Sequence, residues 1–459
     1  MSAGRALGIA ASCAALAACS AESGTVSGQF TTRYVTDSGE IERPADLSGY
    51  DVFALVANGD GYDEYPGDTL ADGRFEIPDV PAGDYYLGYR GPSQVVARHE
   101  TKRHPIYTGT VLGRADAPPV ASDQTTLTLE LDGLRAWQSG DYLQLFSSNA
   151  GVLLHPGEGI DSVTPDDGAT TLSGQPLQYI YNFQPRTLVD GDAGDRMFAA
   201  QLVARVAGGM EYWSIERVGL LDPFVMVDGA DTVARGTLEG APEQSLEVGW
   251  DTTAASGMIE QLPEGALLWG GEFVVSVSPD PKSLRCASGI PDLVLASVDG
   301  GEAGVAALPY ADPYPASWRR IVCLSVLYEY RPPELDIPVL ASIGITVPLD
   351  DAESGDGVSL VQGPVRNVTI VGQTPVLTWD EPGAGRADAY GIVVYRTYET
   401  EGGSSLYEVV ASFTTPDTSF AVPPQVLVAG ESYFASITAR QFGDDLDASA
   451  SVPTAPFTL

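Results

Sequence analysis

Glycine and proline punctuate this chain from end to end, 51 and 33 of them in 459 residues, and their even spread leaves little room for a sustained helical stripe. Turns recur every ten residues or so, and between them apolar side chains alternate in short runs. In Thr125–Leu131 the side chains of Leu127, Leu129 and Leu131 fall on one face, and Phe273–Val277 has the same form. Runs of this kind, each ended by Gly, Pro, Asp or Asn, predict an all-β chain. The length suits three or four domains, so the expectation is several β-sandwich modules in tandem.

Charge narrows the partners. The chain holds 62 acidic against 24 basic residues, a formal net charge of −38, and Lys102 and Lys282 are its only lysines. Nucleic acid and anionic lipid head groups are repelled by such a surface, because binding them needs clustered Lys and Arg. The acids either keep an exported protein dispersed or bind Ca²⁺.

The first 18 residues have the grammar of an export signal: Arg5, then small and apolar residues from Ala6 to Ala18, with no acid before Cys19. Leu16-Ala17-Ala18-Cys19 resembles a bacterial lipobox. The resemblance implies cleavage before Cys19, acylation of that residue, and a mature protein held in the cell envelope through its lipid. With several acyl chains at about 0.8 kcal/mol per buried methylene, such an anchor is stable. Ser20, in place of an aspartate, favours an outer-membrane lipoprotein, facing the periplasm or the cell surface. An ordinary secretory signal with a cysteine at its end is the alternative, and it too exports the chain. In an oxidising compartment Cys286 and Cys323 form a candidate disulfide closing a loop of about 37 residues, worth about 3–4 kcal/mol; two buried thiols are the other reading.

Residues 19–118 make a first module. In Asp72-Gly73-Arg-Phe75-Glu-Ile77, Asp72-Gly73 predicts a hairpin turn with Phe75 and Ile77 on one face. Pro81-Ala82-Gly83 supplies the next turn, and Tyr85, Leu87 and Tyr89 alternate along a closing strand. This stretch resembles the carboxypeptidase-regulatory-like or Cna-B-like family and implies a prealbumin-like sandwich. The internal isopeptide bond of some Cna-B domains is not expected, since Lys102 lies past the motif. Residues 363–459 resemble a fibronectin type III domain, which implies an immunoglobulin-like sandwich. Val376-Leu-Thr-Trp379 brings a core tryptophan, Tyr390–Tyr395 an alternating strand, and Leu427-Val-Ala-Gly-Glu-Ser-Tyr433 the tyrosine whose hydroxyl in that family bonds back to the preceding corner. Residues 119–362 resemble no family and are expected to form one large β-rich unit or two divided near Trp250.

Catalytic motifs are sparse. His99-Glu100 is followed by His104, a spacing that turns two imidazoles apart on a helix, and His155 stands alone. Gly-x-Ser-x-Gly, Cys-x-x-Cys and Ser-x-x-Lys are missing. Asp37-Ser38-Gly39 matches an aspartic-protease triplet that has no second copy. Asp190, Asp192 and Asp195 in a Gly-rich turn are candidate calcium ligands, and Asn58, Asp60, Asp63 and Asp68 form a looser set; neither fits an EF-hand loop. Tyr310, Tyr314 and Trp318 in a Pro-fixed loop beside Arg319 and Arg320 are candidate sugar- or peptide-stacking rings, or else a structural loop.

These readings converge on a non-catalytic binding, adhesive or structural protein of the envelope, anchored in the membrane by lipid and partnered by an envelope protein or a glycan. No cofactor is expected unless calcium is bound. Two rivals stay open. One is an exported carbohydrate-active or other hydrolase with a pair of carboxylates in the centre. The other is a calcium-stabilised adhesive protein.

Overall fold

The computed structural model describes residues 23–458 except 60, 92–93, 101–105, 157–162, 175, 180–186, 241–242, 254–265, 281–289, 299–302, 331–337, 354–356, 373–374, 401–404 and 444–445. Strands and turns make up nearly all of it, and Leu349–Glu353 is the α-helix found among the described residues. The chain is all-β, built of packed sheets.

In the first unit the long strand Ser23–Thr36 works twice. Its first half pairs antiparallel with Arg74–Pro81, and its second half lies between Gly39–Pro44 and Ile106–Leu112. Asp72 and Gly73 turn the hairpin between Gly61–Thr69 and Arg74–Pro81, both at φ 70°. A side chain at Gly73 would meet the Phe30 carbonyl oxygen at 2.6 Å, so this turn needs glycine for space as well as for φ. Phe75 and Ile77, at 1% and 0% exposure, then drop together into a core with Phe30, Val52, Ala54 and Leu87.

The centre holds two cores. Leu127, Leu129 and Leu131 line the inner face of Thr126–Asp132, the middle strand of a small sheet that also holds Thr171–Ser173, Leu177–Gln178 and, in parallel, Asp231–Thr237. This face packs on Tyr142–Ser147, Val152–Leu154 and Phe198–Ala207. A second small sheet, Glu243–Asp251 with Ala303–Ala311 and Val358–Ser359, covers the broad antiparallel run Met210–Leu220, Val294–Val298, Ala266–Asp280, Arg319–Tyr330, Val339–Pro348. Phe198–Ala207 serves both, turning Ala199 into one core and Ala200 and Leu202 into the other.

The last unit sets Arg366–Val371, Val376–Asp380 and Ser419–Ala421 against four strands in the order Ser405–Thr415, Ala389–Glu399, Ser432–Phe442, Asp447–Pro453. Trp379 packs edge-on to Tyr390 with ring centres 5.2 Å apart. The Tyr433 hydroxyl accepts the Val428 backbone N–H at 2.7 Å, the backward bond expected from the sequence.

Consecutive in sequence, the units interlock in space. Val95–Glu100 of the first joins Ser405–Thr415 of the last in parallel, Val95 opposite Ala411 through Arg98 opposite Thr414. Phe53, Leu55 and Tyr86 enter the core that holds Trp379, Phe413 and Phe420, and the Tyr86 hydroxyl donates to Thr415 Oγ1 at 2.9 Å. On the other flank Val339–Pro348 pairs with Asp447–Pro453. A circuit of contacts is completed where the Arg114 N–H reaches the Asn149 carbonyl at 2.6 Å.

Two stability outcomes follow from this packing. Phe53→Ala, which empties a site shared by both ends of the chain, lowers stability by about 3–5 kcal/mol; calorimetry should show one transition moving down as a whole, and a first-unit peak moving alone would contradict the shared core. Tyr433→Phe leaves the packing intact and strands the Val428 N–H, costing about 1–2 kcal/mol in denaturant unfolding.

Candidate functional site

The expected site residues go to different places. Cys19 and Cys286 lie outside the described residues, as does His104. Cys323 is 3% exposed, its sulfur 3.7 Å from Thr346 Oγ1. His155, just past the strand Val152–Leu154, has its Nδ1 3.2 Å from Gln144 Nε2.

The acidic turn does not gather its carboxylates around a common point. Asp190 caps a single turn, accepting the N–H groups of Asp192 and Ala193 at 3.0 and 3.2 Å. Asp195, 5% exposed, takes both the Nε and Nη2 of Arg114, at 2.8 and 3.1 Å, and the Asp190 N–H at 2.8 Å. Its charge is already matched by a guanidinium from the end of the first unit. Asp116 shares that guanidinium, and the two carboxylates push the Arg114 pKa further up. What the sequence offers as a calcium loop is a clamp between units. In the looser set, Asn58 Nδ2 donates to Asp63 Oδ2 at 2.9 Å, and Asp60 lies outside the described residues.

The aromatic loop turns inward, as a structural loop and not as rings open to a ligand. Tyr310, Tyr314 and Trp318 are 7%, 8% and 7% exposed and belong to the second central core. Tyr314 and Trp318 stack with centres 5.8 Å apart, and the Tyr314 hydroxyl donates to the Pro291 carbonyl at 2.8 Å. Arg320 holds the loop from outside, its Nη2 2.6 Å from Asp312. The prolines give the loop its shape, and the apolar area of three rings drives it onto the sandwich.

Next to that loop lies a half-buried carboxyl whose pKa is raised by desolvation. Ser278 Oγ donates to Asp292 Oδ1, and Tyr314 packs nearby. Desolvation lifts the Asp292 pKa to about 7, against the lowering effect of the serine bond. A carboxyl poised there suits a general acid. In this fold its Oδ1 is engaged by Ser278, and three surface depressions among the described residues, of about 320, 440 and 450 Å³, are lined by other residues.

Sequence reading found the strand at Tyr390–Tyr395 and missed its partner, Ser405–Thr415, in the hairpin with Ala389–Glu399. Tyr398, Leu406, Tyr407 and Val409 are 40%, 45%, 37% and 37% exposed on it. Tyr395 stacks on the fully buried Phe434 at 4.7 Å, and Tyr407 meets both rings edge-on. The signal was present in Leu406-Tyr407 and Val409-Val410, where apolar neighbours load both faces of one strand.

No family model matches this chain, and no curated protein matches it. Among solved structures it is similar to one described as a tetra-tandem repeat in the extending region of a large adhesion protein, at 11% identity and a TM-score of 0.15, over 94% of this chain and 99% of that one. A superposition that poor carries no argument about function.

The pH dependence of stability tests the raised pKa of Asp292. Unfolded, Asp292 loses its proton near pH 3.8; folded, it keeps it to about 7. Between those values the native state binds more protons, so this group's contribution to stability is full below the window and declines as pH rises through it. Asp292→Asn removes the titration. The melting temperature of the parent relative to the variant should fall by about 3 °C from pH 4 to pH 8; a constant difference across that range would rule the raised pKa out.

Proposed function

We propose that this is an exported envelope lipoprotein, held by Cys19 and acting as a non-catalytic binding, adhesive or structural component. The observation that carries the reading is the interlocking of the sandwiches. The first and last units share one core and one line of strand pairing, so the molecule offers a rigid scaffold, and the buried Thr415 and Asp195 are engaged in polar contacts between units. A lipid-anchored scaffold of this kind presents strand edges and loops to a partner, the usual places for recognition on sandwiches.

Two further features support the module assignments. The three-on-four sheet arrangement with the Tyr433 corner fits a fibronectin type III domain, and the Asp72-Gly73 hairpin with its Phe75 and Ile77 face fits a carboxypeptidase-regulatory-like one. Expression of the parent and of Cys19→Ser, followed by cell fractionation and mass spectrometry of the amino terminus, tests the anchor. The parent is expected in the membrane fraction with an acylated terminal cysteine, and the variant in the soluble fraction. Equal membrane retention of both would defeat the reading.

A further inference from the structure

One strand edge is left half used. Ser405–Thr415 pairs along its inner side with Ala389–Glu399, and on its outer side Ala411–Thr414 take Val95–Arg98. A bulge at Val410 ends that stretch: Val394 faces Ala411 while Tyr395 faces Val409. From Ser405 to Val409 the outer edge has no strand partner among the described residues, and the four residues 406–409 are all exposed. An edge of this sort is a template for a further strand, and proteins usually blunt it with lysine, proline or an unmatched charge. Ser405-Leu-Tyr-Glu-Val-Val410 has no lysine or proline. Its single carboxylate, Glu408, is held by Arg396, with Nε at 2.9 Å.

We propose that this edge pairs antiparallel with the same edge of a second copy, forming a two-fold dimer. The sequence is self-complementary for it. An axis between Tyr407 and Glu408 sets Leu406 opposite Val409 of the other copy and Ser405 opposite Val410, so apolar side chains meet in both symmetry-related halves. Glu408 falls opposite Tyr407 and not opposite another Glu408. The pairing continues a use the same strand already has, since Val95–Arg98 completes its outer edge one bulge further on. It is also closed: each copy spends its free edge on the other, and no further copy can add. The rest of the surface opposes association, because two chains of net charge −38 repel each other. Screening by salt relieves that repulsion and leaves main-chain bonds and apolar contacts in place. The dimer should therefore strengthen as salt is added.

Sedimentation equilibrium of the chain from Ser20 onward, which contains every described residue, tests this between 0.05 and 0.5 M NaCl in a series chosen around about one Debye length of 10 Å. The expected result is a monomer–dimer equilibrium whose association constant rises at least about tenfold over the series, by screening. Leu406→Lys with Val409→Lys should abolish the dimer while far-ultraviolet circular dichroism and the melting temperature stay at parent values. This variant carries less net negative charge, which alone would favour association, so the loss reports the edge. A second variant, Leu406→Cys with Val409→Cys, should give a covalent dimer under mild oxidation. A monomer at every salt concentration, a dimer indifferent to the two lysines, or no covalent dimer from the cysteine pair would each overturn the proposal.

Discussion

The strand Asp51–Asn58 is buried on both faces over Val52–Leu55, and the architecture depends on that. Val52 and Ala54 point into the core of the first sandwich, while Phe53 and Leu55 point into that of the last. A sandwich sheet with one wet face would leave two separable units. Here each large side chain on the second face contributes about 1.5–3 kcal/mol by leaving water, and does so only while the other end of the chain is in place. The neighbouring strand is fitted to it: a side chain on Gly88 would stand 2.6 Å from the Phe53 ring, so glycine is what lets that ring lie across the sheet. Tyr86 adds the polar contact, its hydroxyl reaching Thr415 across 329 positions of sequence.

This constraint explains which parts of the fold were legible in the sequence. Local signals read correctly. Leu127, Leu129 and Leu131 alternate because one face of their strand is wet; Asp72-Gly73 turns a hairpin because both positions take positive φ; Tyr433 makes a bond only five residues back, to Val428. The run Val52-Phe-Ala-Leu-Val56 shows no alternation, and an unbroken apolar run of that length between Asp51 and Asn58 is the mark of a strand covered on both sides. It announces a second partner without saying which. The partner lies more than 300 residues away, and nothing local encodes it.

The candidate site residues were less legible for the same reason. A carboxylate in a Gly-rich turn looks alike whether it faces water, a cation or a guanidinium. Asp195 is decided by Arg114, 81 positions earlier. Tyr310, Tyr314 and Trp318 look alike whether they stack on a sugar or on each other, and for Tyr314 the choice is made by Phe146 and Pro291, distant in sequence and brought against it by the fold. Composition says how many sticky or charged groups there are, and tertiary pairing says which of them are already spent.

The scarcity of cations sharpens this. With 24 basic residues against 62 acids, most carboxylates have no counter-charge to meet, and mutual repulsion works against any compact state. Several arginines are placed where a match counts most. Arg114 sits between the first unit and Asp195, Arg135 ties Asp141 beside the buried Gln201, and Arg320 closes the aromatic loop on Asp312. In the first two the carboxylate is all but inaccessible, at 0% and 2% side-chain exposure, so removing the arginine strands a desolvated charge, which costs far more than the loss of a surface pair. Asp292 aside, many acids without a cation partner lie on the surface and make most of it repellent to its own kind. Against that background the Ser405–Val409 edge stands apart. Glu408, its one charge, is met by Arg396, and its neighbours are apolar, so it is a place on the described surface where the field that keeps molecules apart is locally neutralised.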